Sequence, residues 1–212
     1  DLDGMKFSEL PRAFIRRIEE SNIISFIVKG ATPINVKYNI FKRINTGGME
    51  LTPQEIRHAL YQGNATNLCK KLAAAPEFKQ ATSYSIKSDR MQDQEFVARF
   101  IAVCYYGIQK YQGIPDEYLN GAMGYLNQKD CVKLLEIEEK FKYVMNACYR
   151  ILGKYAFRKL AEDGMRRPIN KAIYETWCET VFYLEDEEIE KLEGNREKVY
   201  REFLMLCESP LF

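Results

Sequence analysis

The chain has 212 residues, of which 46% are hydrophobic and 29% charged, and its 31 basic side chains nearly balance its 30 acidic ones. This composition is typical of a folded globular protein and excludes a disordered chain or one coated with positive charge for general nucleic-acid binding. The sequence has no apolar run long enough to span a bilayer and no basic leader, so it predicts a cytoplasmic protein. Any contact with DNA is expected to be a local patch.

The cysteines are scattered along the chain, with no CxxC pair and no cluster around the single histidine, His58. This pattern favours small buried thiols in a reducing compartment over disulfides or a zinc site, and it predicts no metal site. They are Cys69, Cys104, Cys131, Cys148, Cys178 and Cys207.

The N-terminal stretch predicts one helix and one strand. Leu10, Phe14 and Ile18 recur every four residues, which indicates an amphipathic surface helix between Lys6 and Glu20. Asn22 to Lys29 is short and rich in β-branched and aromatic residues, which predicts a strand. Because a lone strand is not stable, we expect its sheet to be completed by a preceding part of the same domain or by a partner.

A helix, a glycine turn and a second helix are predicted between Tyr38 and Gly63. The first helix is expected to end at Gly47 and Gly48, where a left-handed cap favours a residue without a Cβ. Thr52 is expected to cap the second helix, with proline next and Glu55 closing a capping box. This local chemistry predicts two helices joined at a fixed angle.

Beyond Gly63 the apolar periodicity predicts only helices, and the fold class is mainly α, a helical bundle with a short strand remnant. The predicted lobes are residues 1–63 and 64–212. The expected elements are a short helix from Asn64 to Ala75, a loop from Glu77 to Gln92, a long helix capped by Asp93 and ended by Gly113, a helix opened by Pro115, one from Asp130 to Gly153, one started by Pro168, a short acidic helix at Glu185 to Glu190, and a last helix capped by Asn195.

Two blocks of this sequence resemble a known family. IFKRINTGGMELTPQEIRHALYQG is similar to the signature of the ParB-like domain at the N-terminal end of GmrSD-type restriction enzymes, a prokaryotic phage-defence family. RRPINKAIYETW, from Arg166 to Trp177, resembles a block near the end of that domain. The resemblance implies a ParB/sulfiredoxin-like α+β lobe up to Gly63, a helical lobe after it, and a parent protein that couples a nucleoside triphosphate, with Mg²⁺, to cleavage of foreign DNA.

The chain departs from that family where the chemistry is expected. Relatives carry an Asp-Gly-Gln-Gln-Arg loop before the first block, whereas here Asp3 and Gly4 are followed by Met5 and Lys6. The His/Asn arrangement of the separate nuclease domain is absent too, since His58 is the only histidine. We therefore expect this chain to be catalytically inert by itself, with no catalytic residue of its own.

The glycine turn is the first candidate site. Consecutive amides of the turn are expected to form an anion-binding nest, with flanking arginines adding charge for a nucleotide phosphate. The alternative is purely architectural: the glycines turn the chain, the asparagine caps locally and one arginine bridges Glu55 or a neighbour. The candidates are Arg43, Asn45, Thr46, Gly47, Gly48 and Arg57.

A basic connector is the second candidate site, for DNA or a protein partner. The alternative is a solvated turn in which one arginine satisfies a helix end, and it is favoured because no aromatic residue is interleaved with the charges. The residues are Arg158, Lys159, Arg166, Arg167 and Lys171.

A second class of function is the alternative to a part of a nuclease. In that case the chain is a non-enzymatic helical interaction module.

Overall fold

The computed structural model describes residues 2–25, 27–45 and 49–209, and these ranges are mainly α-helical, as the sequence predicts. The only β pairing within them is a single antiparallel bridge between Arg158 and Ile169. The helices of the described ranges are α1 Arg12–Glu19, α2 Ile34–Ile44, α3 Pro53–Leu60, α4 Asn64–Ala73, α5 Pro76–Ala81, α6 Gln92–Ile101, α7 Pro115–Asn127, α8 Cys131–Leu152, α9 Lys171–Tyr183, α10 Asp186–Gly194 and α11 Arg196–Glu208.

The chain divides into two compact units, one up to Pro33 and one from Ile34 onward. The first unit contains a short 3-10 turn, Phe7–Glu9, and then α1. The predicted N-terminal helix is therefore confined to the residues after Pro11, which has no amide hydrogen and precedes the first turn. The second unit contains α2 and α3 together with all later helices, whereas the sequence prediction placed a lobe boundary at Gly63.

The predicted strand from Asn22 to Lys29 is wrong for the residues that are described there. Residues 22–25 and 27–29 form neither strand nor helix, and Phe26 lies outside the described residues. Ile23 is 92% and Ile27 88% exposed. A strand needs a neighbouring strand to satisfy its backbone groups, and no described segment of this chain pairs with this one.

Helix α8 is the central helix of the second unit and packs against α4, α5, α9, α10 and α11. Its predicted apolar stripe is buried, and Ile137, Phe141 and Met145 have no exposed surface. The Phe141 ring meets Phe100 edge to face at 4.9 Å and lies 5.8 Å from Phe78. These aromatic contacts join α5, α6 and α8 into one core.

The long helix predicted from Asp93 to Gly113 is interrupted. Helix α6 ends at Ile101, and Ala102–Gly107 continues it as a π-helical segment. The Tyr118 hydroxyl donates a hydrogen bond to the Ala102 carbonyl at 2.6 Å, which satisfies an acceptor in the widened turn. Gly107, with φ of +97°, then ends the segment.

The loop predicted from Glu77 to Gln92 is also partly wrong, because α5 covers Pro76–Ala81. Proline at the first helical position fits the start of α5, and Phe78 is buried in the core. The irregular segment is limited to residues 82–91. Within it Ser83 and Tyr84 have left-handed φ values of 53° and 54°, which non-glycine residues rarely adopt.

The helix starts were predicted with mixed success. Asp130 caps α8 as predicted, accepting the Lys133 amide at 2.8 Å. Helix α9 begins at Lys171 and not at Pro168, because the Asn170 side chain accepts the amides of the first turn. Asn195 precedes α11 as predicted, although its side chain donates back to the Lys191 carbonyl instead of capping α11.

All six cysteines are free thiols. Five are buried as the sequence predicts, whereas the prediction is wrong for Cys131, which is exposed. Burial raises the pKa of the Cys69 thiol to about 12, so it is an unreactive core side chain. None of the helices in the described ranges combines the length and the apolar character needed to cross a bilayer.

Replacing Phe141 with alanine is expected to lower the free energy of unfolding by about 3–5 kcal/mol, because it opens a cavity among closely packed rings. Leu135→Ala on the same helix is the control, since Leu135 is 57% exposed, and its effect should stay near 0.5 kcal/mol. Urea denaturation of both variants measures the difference. Equal effects would contradict the central position of α8 in the core.

Candidate functional site

The start of α3 is fixed by the capping box that the sequence predicts. The Thr52 amide donates to the Glu55 carboxylate at 2.6 Å, and the Glu55 amide donates to the Thr52 hydroxyl at 3.2 Å. Pro53 occupies the first helical position, where no amide hydrogen is needed. The chain that leaves the glycine turn therefore enters α3 in one defined direction.

Arg90 holds this helix start from the loop before α6. Its guanidinium makes a two-pronged pair with Glu55, with Nε to Oε1 at 3.0 Å and Nη2 to Oε2 at 2.9 Å, and also donates to the Glu50 carbonyl. The hydrogen bonds from Arg90, and then those from Thr52, lower the pKa of Glu55. Forked arginine–carboxylate pairs fix orientation as well as charge.

The turn itself is described only at its two ends. Asn45 closes the mouth of the turn, since its Nδ2 donates to the Leu51 carbonyl at 3.0 Å. Thr46, Gly47 and Gly48 lie outside the described residues, so the predicted anion-binding nest stays a prediction. The bond of Asn45 is a local contact of the kind that the architectural alternative expects, and the roles of the candidate residues stay predictions.

Arg43 and Arg57, the two arginines predicted to contact phosphate, differ in their surroundings. The Arg43 side chain is exposed at the end of α2, and within the described ranges no carboxylate lies within ion-pair distance of it. Arg57 is 1% exposed on α3. Only Arg43 is therefore presented to solvent beside the turn.

The Arg57 guanidinium is surrounded by acceptors inside the fold. Its Nε donates to Asn120 Oδ1 at 2.9 Å, Nη1 to Gln54 Oε1 at 2.6 Å and Nη2 to Asp116 Oδ1 at 3.1 Å. Asp116 also pairs through its second oxygen with Lys42 at 3.1 Å. A direct contact between Arg57 and an external phosphate would require these bonds to open.

Tyr38 on α2 lies beside this cluster. Its hydroxyl is buried and makes no hydrogen bond of good geometry in the described structure, although the Asp116 carboxylate is close enough to act on it. Burial raises the pKa of Tyr38 to about 12, Arg57 opposes that rise, and Asp116 adds to it. The hydroxyl is therefore a neutral group in a charged surrounding.

His58 and Gln54 on α3 both make contacts within the fold. His58 is half-buried, and its Nδ1 lies 3.2 Å from the Gln94 amide oxygen. Gln54 accepts from Arg57, while its own Nε2 is buried without a partner in the described part of the chain. Neither residue faces an acid that would orient it for catalysis.

The basic connector contains two kinds of arginine. Arg158 is 2% exposed, and its guanidinium donates to the carbonyls of Arg167 and Thr82 and to the Ser85 hydroxyl. Arg166 is exposed, whereas Arg167 pairs with Asp163 at 2.5 Å. Arg158 bonds the carbonyl of Thr82, the C-cap residue of α5, so one arginine does satisfy a helix end as the architectural alternative expects.

Lys171, the last member of the connector, belongs to a charge network on α6. Its Nζ donates to Glu95 Oε1 at 2.8 Å. Arg99 pairs with the same Glu95 oxygen at 2.7 Å and with Glu175 Oε1 at 2.5 Å. Burial would raise the pKa of Glu95, but hydrogen bonds from Lys171 and Arg99 outweigh it and keep the pKa low. The network ties α9 to α6.

The described glycine-turn candidates Arg57 and Asn45 and the connector candidates Arg158 and Lys171 therefore have different bonding partners. The residues that complete each cluster lie far along the chain from the motifs, and sequence spacing gives no signal for such partners. They are Arg90, Glu95, Arg99, Asp116, Asn120 and Glu175.

No group of three or more metal-ligating side chains comes together in the part of the chain that the structure describes. Comparison of the chain with protein-family models, curated proteins and solved structures found no match. The similarity of the two sequence blocks to GmrSD-type proteins therefore stays a prediction.

Replacing Asp116 with alanine is expected to lower the free energy of unfolding by about 2–3 kcal/mol, because Arg57 would remain buried without its counter-charge. The Asp116 side chain is 26% exposed, which places the effect below that of a fully buried pair. Lys42→Ala, which removes the exposed partner of the same carboxylate, should cost less than about 1 kcal/mol. Equal losses in urea denaturation would show that Arg57 does not depend on Asp116.

The pair between Glu55 and Arg90 predicts a pH dependence. Because the folded-state pKa of Glu55 is lowered from its ordinary value of 4.5, the pair contributes stability above that value. The contribution is lost as the pH falls through the lowered folded-state pKa. We expect the stability difference between wild type and Glu55→Gln to be largest near neutral pH and to shrink in acid.

The control for this dependence is the same substitution in an Arg90→Met background. Removing the guanidinium takes away the main cause of the lowered pKa, so the pH-dependent part of the Glu55→Gln effect should become smaller. Urea denaturation of the four proteins at several pH values measures both effects. A Glu55→Gln effect that does not change with pH would refute the assignment.

Proposed function

We propose that this chain is part of a GmrSD-type restriction or phage-defence protein, in which the α2–α3 turn forms one wall of a nucleotide phosphate site. The remaining helices form a lobe for contacts with the other domains of a nucleotide-dependent DNA nuclease. The similarity of the two sequence blocks supports the family, and the geometry around the turn supports the site.

The observation that carries the proposal is an exposed arginine beside a turn whose ends are held. Asn45 bonds Leu51 across the mouth of the turn, and Arg90 holds the Glu50 carbonyl. Arg43 is exposed just before this closure. A positioned loop with an accessible guanidinium can bind a phosphate with little loss of conformational entropy.

The side chains near the turn suit one half of a magnesium–nucleotide complex. Arg43 and the Asn45 amide are hydrogen-bond donors, which fit phosphate oxygens. Glu55, the acid at the start of α3, is held by Arg90. These residues therefore fit the phosphates and not the cation, and we assign no step to the metal.

A non-enzymatic helical interaction module remains the second candidate. The observation in its favour is that Arg57, one of the two arginines predicted for phosphate, is engaged inside the fold by Gln54, Asn120 and Asp116. In that case the turn only joins two helices. Binding of a labelled nucleotide to the purified chain, followed by fluorescence anisotropy, discriminates between the two functions.

Replacing Arg43 with alanine in the intact protein is expected to reduce nucleotide hydrolysis at least about tenfold, the factor for losing a charge-assisted hydrogen bond of about 1.5 kcal/mol. The melting temperature should not change, because the side chain is exposed. Arg201→Ala on α11, another exposed arginine, is the control. Unchanged hydrolysis in Arg43→Ala would reduce the turn to architecture.

A further inference from the structure

Arg158 carries a buried charge that no acid balances within the described structure. It is 2% exposed, and its partners are the carbonyls of Arg167 and Thr82 and the Ser85 hydroxyl. Its Nε is buried without a hydrogen-bond partner among the described residues. Buried charges are ordinarily paired, so this guanidinium marks a place where an anion is favoured.

The positive charge continues from Arg158 to the surface. Arg166 is exposed and has no carboxylate within ion-pair distance in the described ranges. Burial first, and then the positive charge of Arg166, lower the pKa of Arg158. Lys87, two residues after Ser85, is exposed as well. By contrast, Arg167 is already neutralised by Asp163.

The loop that covers Arg158 presents an aromatic ring. Tyr84 is 75% exposed and precedes Ser85, the residue whose hydroxyl accepts from Arg158. Its left-handed backbone, with φ of 54°, is held by a hydrogen bond from its amide to the Lys79 carbonyl at 2.8 Å. Together with the bond from the Ser83 amide to the Gln80 carbonyl at 2.9 Å, this is a C-terminal cap of α5, and it fixes the position of the Tyr84 backbone at the end of that helix.

We propose that the exposed Tyr84 and Arg166, supported by the charge of Arg158, form a contact site for single-stranded nucleic acid. The ring of Tyr84 would stack on a base, and the Arg166 guanidinium would bind an adjoining phosphate. Arg158 and the Ser85 hydroxyl are already bonded to each other and to carbonyls of the fold, so they hold the loop and add positive charge without contacting the ligand. This pairing of an aromatic platform with cations is the arrangement that unpaired strands require. The aromatic residue that the connector lacks in sequence is supplied by a loop some seventy residues earlier, since Tyr84 and Arg158 are far apart in the chain.

The open position of the ring favours a strand over a free nucleotide. A ligand enclosed in a pocket loses most of its surface to the protein, whereas Tyr84 stands on the surface with three quarters of its area exposed. An extended strand can cover such a platform and continue past Arg166 and Lys87. This inference rests on the proposed function for one point only, namely that the ligand is a nucleic acid.

The test is fluorescence anisotropy of a short labelled single-stranded oligonucleotide with the whole chain at low salt. Wild type should bind, and the affinity should fall as salt is raised because phosphate contacts release counter-ions. Tyr84→Ala should weaken binding about tenfold, the effect of losing one stacked base. Arg166→Ala should weaken binding and reduce the salt dependence.

Matched controls separate this site from general surface effects. Tyr183→Ala removes another exposed tyrosine, 67% exposed at the end of α9, and Arg201→Ala removes an exposed arginine of α11. Both should bind like wild type. Arg158 is not replaced in the main test, because its loss would disturb the fold. Tyr84 and Arg166 are exposed, so their variants should keep the wild-type melting temperature.

Three outcomes would overturn the inference. These are no binding by wild type, equal binding by Tyr84→Ala, Arg166→Ala and the controls, or displacement by a free mononucleotide at the oligonucleotide's own concentration. The Arg43→Ala hydrolysis assay is independent of all three. Strand binding through Tyr84 with unchanged hydrolysis in Arg43→Ala would support this site and refute the proposed function, and the reverse pattern would do the opposite.

Discussion

The burial of one guanidinium sets the arrangement of the helices around the turn. Arg57 is removed from water on α3, so each of its nitrogens must find an acceptor inside the protein. Asn120 and Asp116 of α7 provide two of them, and Asp116 in turn pairs with Lys42 of α2. Helices α2, α3 and α7 are thereby joined through the contacts of Arg57 and Asp116. These contacts hold the end of α2 and the body of α3 against α7.

Helix α6 and the loop before it connect the two sequence blocks, residues 40–63 and 166–177, on which the family proposal is based. Arg90 reaches Glu55 in the first block, and Glu95 reaches Lys171 in the second. Arg99 strengthens the second connection through Glu175. The intervening chain, which carries no recognisable motif, therefore supplies the ion pairs that hold both blocks in one compact unit.

The sequence predicted what depends on near neighbours. The caps at Thr52 and Asp130 were predictable because donor and acceptor lie within three residues, and the buried stripe of α8 follows from helical spacing. The strand predicted near Ile23 was wrong, because β-propensity is a local property whereas a β-ladder needs a second strand. The contacts of Arg57 with Asn120 and Asp116 also escaped prediction, since they join segments that are far apart in the chain.

The π-helical segment at Ala102–Gly107 bears on how related sequences would be aligned with this one. A π turn accommodates one residue more than an α-helical turn, and each residue turns a helix by about 100°. A relative that lacked one residue here could continue as a regular α-helix and still present the same face after it. A single-residue gap at this point would therefore record a change of helix type, and the residues on either side of it would remain structurally equivalent.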